Sequence, residues 1–136
     1  MTAATVIVAA TAWLSDIPVE TVRTDAVQAF LKQETIYVRL ELADGSTSLG
    51  YSYTIGTGGR AVLEMLRGGM LDAVIGADAE RPEAVWYAAF NSTRATTVGA
   101  ITSLALAAID TAVWDGRSRR AGVLLWQLAG GANTSV

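Results

Sequence analysis

The most restrictive stretch of this 136-residue chain is Glu34-Thr-Ile36-Tyr-Val38-Arg-Leu40-Glu-Leu42. Ile36, Val38, Leu40 and Leu42 alternate with Tyr37, Arg39 and Glu41, a period of two that suits an extended strand with one buried face. Asp44-Gly45 follows at once and is the strongest short-range hairpin signal. Thr47 to Ile55 then returns as a partner strand with Tyr51 and Tyr53 on one face. Upstream, Thr5-Val6-Ile7-Val8 and the residues to Leu14 are uncharged and rich in β-branched side chains, which predicts a buried first strand. The three strands together predict an antiparallel meander. Between the first two, Asp16 to Gln33 carries Pro18, three acidic residues, Arg23 and Lys32, with few apolar anchors before Phe30 and Leu31. It is expected to be a long polar loop, of the kind that forms functional lids.

Beyond Gly59 the period changes. Val62, Leu63, Leu66, Met70 and Leu71 recur at spacings of three and four, the pattern of a helix with one apolar side. Gly68-Gly69 should weaken this helix by about 1 kcal/mol per glycine relative to alanine, and Gly76 is placed to terminate it. Pro82 suits the first turn of a second helix carrying Val85, Trp86 and Phe90. A third helix is expected from Val98 to about Arg120. Its Ile101, Leu104, Ala105, Ala108, Ile109, Ala112 and Val113 make a broad stripe of mostly small residues that would let another element pack closely. Gly122 ends it, and a short segment, Val123 to Leu128, precedes Gly130-Gly131 and a polar tail. The expected fold is α+β in one domain: a three-stranded antiparallel meander followed by three to four helices packed on one face of the sheet.

Composition acts mainly by exclusion. There is no Cys, which removes disulfides, thiol catalysis and zinc-thiolate sites, and no His, which removes Ser-His-Asp chemistry and His-metal clusters. A net charge of −3 is a poor match to a nucleic-acid surface. The uncharged run from Ala95 to Ile109 is shorter than the roughly 20 residues that a bilayer requires. The expectation is a soluble, cytoplasmic protein with no membrane or nucleic-acid partner. Only 17% of residues are charged against 51% hydrophobic, so part of the apolar surface is expected to face a partner.

Several motifs bear on possible chemistry. Gly56-Thr57-Gly58-Gly59-Arg60-Ala61 fits a loose G-x-G-x-x-A pattern between a strand and a helix, where a dinucleotide phosphate could sit. The preceding hairpin is not a βαβ unit, so a plain loop or a substrate-facing loop are the competing readings. Asp110 and Asp115 lie five residues apart and point about 140° from one another on a helix, too far round to share a proton or a metal. One is expected to bond nearby backbone and the other to pair with Arg119. Arg117, Arg119 and Arg120 complement the helix dipole at its C-terminal end. Trp13, Trp86, Trp114 and Trp126 are expected mainly as core or interface anchors. The polar segment offers Glu20, Arg23, Asp25 and Gln28, either as a solvated loop or as a lid over a charged substrate. No nucleophile–base pair and no metal-ligand cluster is visible, so no catalytic residue and no metal ligand is assigned.

The third helix carries a resemblance. Ala107-Ala108-Ile109-Asp110-Thr111-Ala112-Val113-Trp114-Asp115, then Arg120-Ala121-Gly122, then Leu125-Trp126-Gln127-Leu128-Ala129-Gly130-Gly131, looks like the end of the N-terminal capping domain of the enolase superfamily. The mandelate racemase / muconate-lactonizing group is the closer match. Val38 to Gly45, followed by Gly50-Tyr51-Ser52-Tyr53, resembles the hairpin of the same domain. Two positions depart from the pattern: Gly116 stands where the family has Leu, costing an apolar contact, and Val123 where it has Pro.

The resemblance implies that residues 1–136 are a capping domain whose catalytic TIM barrel is absent from this chain. That barrel would hold Mg²⁺ and the acid–base groups, and the parent enzyme, a racemase or dehydratase, would abstract a proton α to the carboxylate of a hydroxy-acid or acid sugar. The cap would lend two loops, Asp16–Gln33 and Gly50–Gly59, that set specificity for a small anionic substrate. By position, Arg23, Thr24, Asp25 and Phe30 on the first and Tyr53 and Thr57 on the second would face it. The partners implied are the barrel domain and neighbouring subunits of a homo-oligomer. The isolated chain is expected to be inactive. The alternatives are a non-catalytic binding or assembly module, self-associating or docked on a separate barrel chain, and a nucleotide-binding module built on Gly56–Ala61.

Overall fold

The computed structural model describes residues 3–131, so the polar tail read after Gly131 lies outside the described residues. Strands β1 (Ile7–Thr24), β2 (Ala29–Leu42) and β3 (Thr47–Thr54) form one antiparallel sheet in the order β1-β2-β3. Helices α1 (Gly59–Met65), α2 (Pro82–Ser92), α3 (Ala100–Ala121) and the single turn α4 (Leu125–Leu128) follow. The architecture is the expected α+β meander and helices. Among the described residues no helix is long and apolar enough to cross a membrane.

Two expectations are overturned. The first strand is not a buried one: β1 lies at the edge of the sheet and buries only Ile7 and Ala12. Asp16 to Gln33 is not a loop but the outer halves of two paired strands joined by the short turn at residues 25–28. The register runs unbroken from Ala9↔Glu41 to Pro18↔Lys32, shifts by three extra residues on β1, and resumes at Arg23↔Phe30 and Thr24↔Ala29. β3 pairs with β2 only as far as Glu34↔Thr54, so the last part of the β1–β2 ribbon projects as a two-stranded arm. With no third strand beside it, this arm shows no apolar alternation, yet its backbone hydrogen bonds form regardless of side-chain polarity.

The even-numbered residues of β2 face the helices. Ile36, Val38 and Leu40 are fully buried and meet Val62, Leu66 and Met70 from α1 and its continuation, and Val85 and Ile109 from α2 and α3. The Gly68-Gly69 interruption takes a specific form: α1 continues into one wide turn over Leu66–Met70, where Leu71 N–H donates to Leu66 C=O (3.0 Å) and Gly69 adopts φ 128°. Pro82 opens α2, and α3 ends at Gly122.

The small residues of α3 have a concrete partner in β3. A Cβ on Gly50 would lie 2.2 Å from Ala108 C=O and 2.2 Å from Ala112 N–H, so helix and strand backbones touch at a point that only glycine permits. The same closeness accounts for Gly116. A Cβ there would meet Ser48 Cβ at 3.1 Å, so the position read as a lost apolar contact lies where α3 crowds β3.

Among the described residues no helix covers the other face of the sheet. Trp13, Tyr37 and Tyr51 are register partners across all three strands. Trp13 stacks on Tyr37 (centroids 5.3 Å, planes 17° apart) and Tyr37 leans against Tyr51 (6.2 Å, 47°).

Candidate functional site

The arm and the end of β3 border an open cleft of about 500 Å³ lined by Val19, Thr21, Arg23, Phe30, Gln33, Tyr53 and Ile55. Arg23 and Phe30 are placed by their cross-strand pairing near the arm's tip, and Tyr53 by pairing with Thr35. Gln33 donates to Thr35 Oγ1 at 3.2 Å, which orients its amide along the same face. Among the described residues no carboxylate pairs with Arg23. The cleft therefore combines one uncompensated cation, an amide and a phenol with aromatic and aliphatic walls. That set suits a small anion bearing hydroxyls.

Of the six residues expected to face substrate, Arg23, Phe30 and Tyr53 line this cleft, while Thr24, Asp25 and Thr57 do not. Thr24 is the exposed last pair of β1. Asp25 is turned in on the arm's tip, where its Oδ1 accepts from Val27 N–H (2.7 Å) and Gln28 N–H (2.8 Å); these bonds hold its carboxyl below the usual range. Thr57 is exposed in the loop leading to α1. Gln33, Val19, Thr21 and Ile55 went unassigned because nothing in local spacing marks them; only the path of the arm beside the end of β3 brings them to one cleft.

The residue that sequence reasoning missed beneath this site is Glu34. Its buried carboxylate takes Thr54 Oγ1–H at 2.6 Å and Gly59 N–H at 2.8 Å on Oε2, and Lys32 Nζ at 3.2 Å on Oε1. The Thr54 hydroxyl first, then the Gly59 amide, hold it below the ordinary carboxylate value of 4.5. Gly59 is obligatory, since a Cβ there would sit 2.7 Å from Glu34 Cβ. This decides the glycine-rich motif. The α1 N-terminal amide that a phosphate would use is already taken by an internal anion, and a second anion there would be repelled. A signal existed: position 34 shares the inward parity of Ile36, Val38 and Leu40, and a carboxylate on that parity has to find donors.

The remaining motifs resolve as structure. Asp115 does both jobs divided between two aspartates in the sequence reading: Oδ2 accepts from Leu49 N–H (2.9 Å) and Oδ1 pairs with Arg119 (3.0 Å). Asp110 is instead pushed up by burial and bonds Trp114. Arg120 pairs with Glu80 (2.6 Å) and Asp44 (3.1 Å), and Arg117 approaches Glu80 (3.5 Å) while lying over the Trp114 ring at 4.8 Å. The basic cluster is thus neutralised internally. None of the four tryptophans enters the buried core, which leaves the interface half of that expectation. Trp86, Tyr87 and Trp114 line a second cleft of about 660 Å³ between α2 and α3, whose arginines are occupied by these contacts or exposed. Among the described residues no three His, Cys, Asp or Glu stand together to hold a metal.

The family model described as mandelate racemase / muconate lactonizing enzyme, N-terminal domain, matches residues 3–130. The chain is 39% identical over 121 residues to a 3,6-anhydro-α-L-galactonate cycloisomerase of Streptomyces coelicolor, covering 88% of this chain and 34% of that protein. It is 36% identical over 97 residues to a D-mannonate dehydratase of a Caulobacter species, covering 71% of this chain and 24% of the relative. A crystal structure of a racemase from Streptomyces coelicolor with bound magnesium superposes at a TM-score of 0.88 with 37% identity, over 93% of this chain and 36% of that one. The chain spans about a third or less of the length of these relatives.

Proposed function

The chain belongs to the mandelate racemase / muconate lactonizing enzyme N-terminal domain family, and from that premise we propose that it is the specificity cap of a Mg²⁺-dependent racemase, cycloisomerase or dehydratase acting on a sugar acid. The observation that carries the reading is the cleft in which Arg23, in no ion pair among the described residues, faces Gln33 and Tyr53. Arg23 would hold a substrate carboxylate or hydroxyl by charge-assisted hydrogen bonds. Gln33 and the Tyr53 phenol would bond further hydroxyls, and Phe30 and Ile55 would keep water off the bound face. Mg²⁺, when bound to the parent enzyme, would stabilise the negative charge that develops when the carbon next to the carboxylate loses its proton. The described residues offer no metal cluster, so that ion would be held by a barrel domain outside this chain.

The test is a titration of the 136-residue chain with D-mannonate, galactarate and neutral mannitol, followed by amide NMR, with turnover assayed in Mg²⁺. We expect no turnover, weak binding of the acids alone, and shifts centred on Arg23, Phe30, Gln33 and Tyr53. Arg23→Ala should weaken that binding at least tenfold, since hydrogen bonds to a charged group contribute about 1.5–3 kcal/mol. Turnover by the chain alone would refute the inactive cap. Equal shifts with mannitol would refute an anionic substrate.

A further inference from the structure

We propose that the cleft between α2 and α3 binds a small organic cation, an ammonium carried on a flat apolar body, between its aromatic walls and the Asp110 carboxylate. At about 660 Å³ it is the size of a small-molecule site, and it shares no lining residue with the cleft beside the arm. Its walls are Trp86 and Tyr87 from α2 and Trp114 from α3. Trp86 and Tyr87 remain 39% and 61% exposed. Trp86 is held in place by Phe90, stacked on it at 4.8 Å with planes 12° apart. Trp114 already carries a cation, since the Arg117 guanidinium lies 4.8 Å from its ring centroid. Among the described residues no cation lies over Trp86 or Tyr87, so these two rings are left for a ligand.

The charges of the cleft set the sign of the ligand. Glu80 is taken up by Arg117 and Arg120, and Arg120 also serves Asp44, so these two acids and two arginines balance. Asp78, held low first by the Thr5 hydroxyl and the Glu80 amide, also draws on the charge of Arg81. That leaves Asp110 and Glu83, neither in an ion pair among the described residues. Asp110 lies half-buried beside the Trp114 indole, and burial makes its negative charge costly there. A cation between Asp110 and the rings offsets that cost, whereas an anion would add to it. An ammonium on an aryl group fits both halves of the cleft: its ring stacks on Trp86 or Tyr87 and its charge meets the carboxylate. This inference does not rest on the sugar-acid reading, because it uses none of that site's residues.

Titration of the 136-residue chain with 2-phenylethylammonium at pH 7, followed by the tryptophan indole N–H signals in NMR, tests it. Phenylacetate and 2-phenylethanol, which carry the same ring with a negative charge and with none, are the controls. The ammonium should give a saturable shift of Trp86 and Trp114, with Trp13 and Trp126 unmoved. Asp110→Asn, which keeps an acceptor for the Trp114 indole, should weaken binding at least tenfold with the far-UV spectrum unchanged. Trp86→Leu should weaken it several-fold. No saturable shift overturns the proposal. So does equal binding of phenylacetate or 2-phenylethanol, which would make the cleft an apolar slot with no preference for charge. Unchanged binding in a folded Asp110→Asn variant removes Asp110 as the counter-ion and overturns it as well.

Discussion

A carboxylate on the helix side of a strand must find donors there or cost several kcal/mol. Glu34 finds the Thr54 hydroxyl, the Gly59 amide and the Lys32 ammonium, and so ties the end of β3 and the start of α1 to the root of the arm. Because its folded-state value lies below the ordinary 4.5, its contribution is present in full above about that pH and is lost as pH falls through the depressed value. Glu34→Gln should cost about 2 kcal/mol in urea unfolding at pH 7, as hydrogen bonds to a charged acceptor are exchanged for neutral ones. The same variant should also flatten the loss of stability below pH 4.5. An acid limb as steep as that of the unsubstituted chain would mean that Glu34 does not govern it.

Beyond Glu34 the arm is a pair of strands with no third neighbour, and such a ribbon is marginal in water by itself. Val27 at its tip is 90% exposed and Leu31 65%. Amide hydrogen exchange should therefore rank the arm well below the central sheet. Amides of residues 19–31 should open at least a hundredfold more readily than those of Ile36, Val38 and Leu40. Equal protection would mean that the arm is as firmly anchored as the core. This difference also explains what the sequence disclosed. The inner parity of β2, the Asp44-Gly45 turn and the helical stripe of α3 were readable because burial imposes a period on hydrophobicity. The arm is ordered by backbone bonds and by the Asp25 turn, so its polar residues 16–33 carried no period and read as a loop. Within the site, Arg23, Phe30 and Tyr53 were reached through the family resemblance. Gln33 and Ile55 became lining residues only through the placement of the arm beside the end of β3. Gly56-Thr57-Gly58-Gly59 stayed ambiguous in the sequence because a glycine required for close approach to Glu34 has the same letter as one required by a phosphate.

At the scale of the molecule, the helices cover one side of the sheet and the candidate cleft lies at the end where the arm leaves it. The acidic residues are dispersed: Asp44 and Glu80 serve Arg120, Asp115 serves Arg119, and Glu34 serves α1. Millimolar Mg²⁺ should accordingly leave the thermal midpoint of the chain unchanged, and adding EDTA should do the same. A rise of several degrees with Mg²⁺ would show that carboxylates of this chain gather to hold the ion.

The seam between Gly50 and the Ala108–Ala112 turn of α3 admits no additional atom, whereas the outer arm beyond Lys32 supports almost none of the core. Substitution therefore meets opposite constraints in the two regions. The seam is fixed by sterics, while residues of the arm can be replaced without opening the core beneath it. A fold built this way tolerates change in one ribbon while the rest of its sequence stays a fixed chassis.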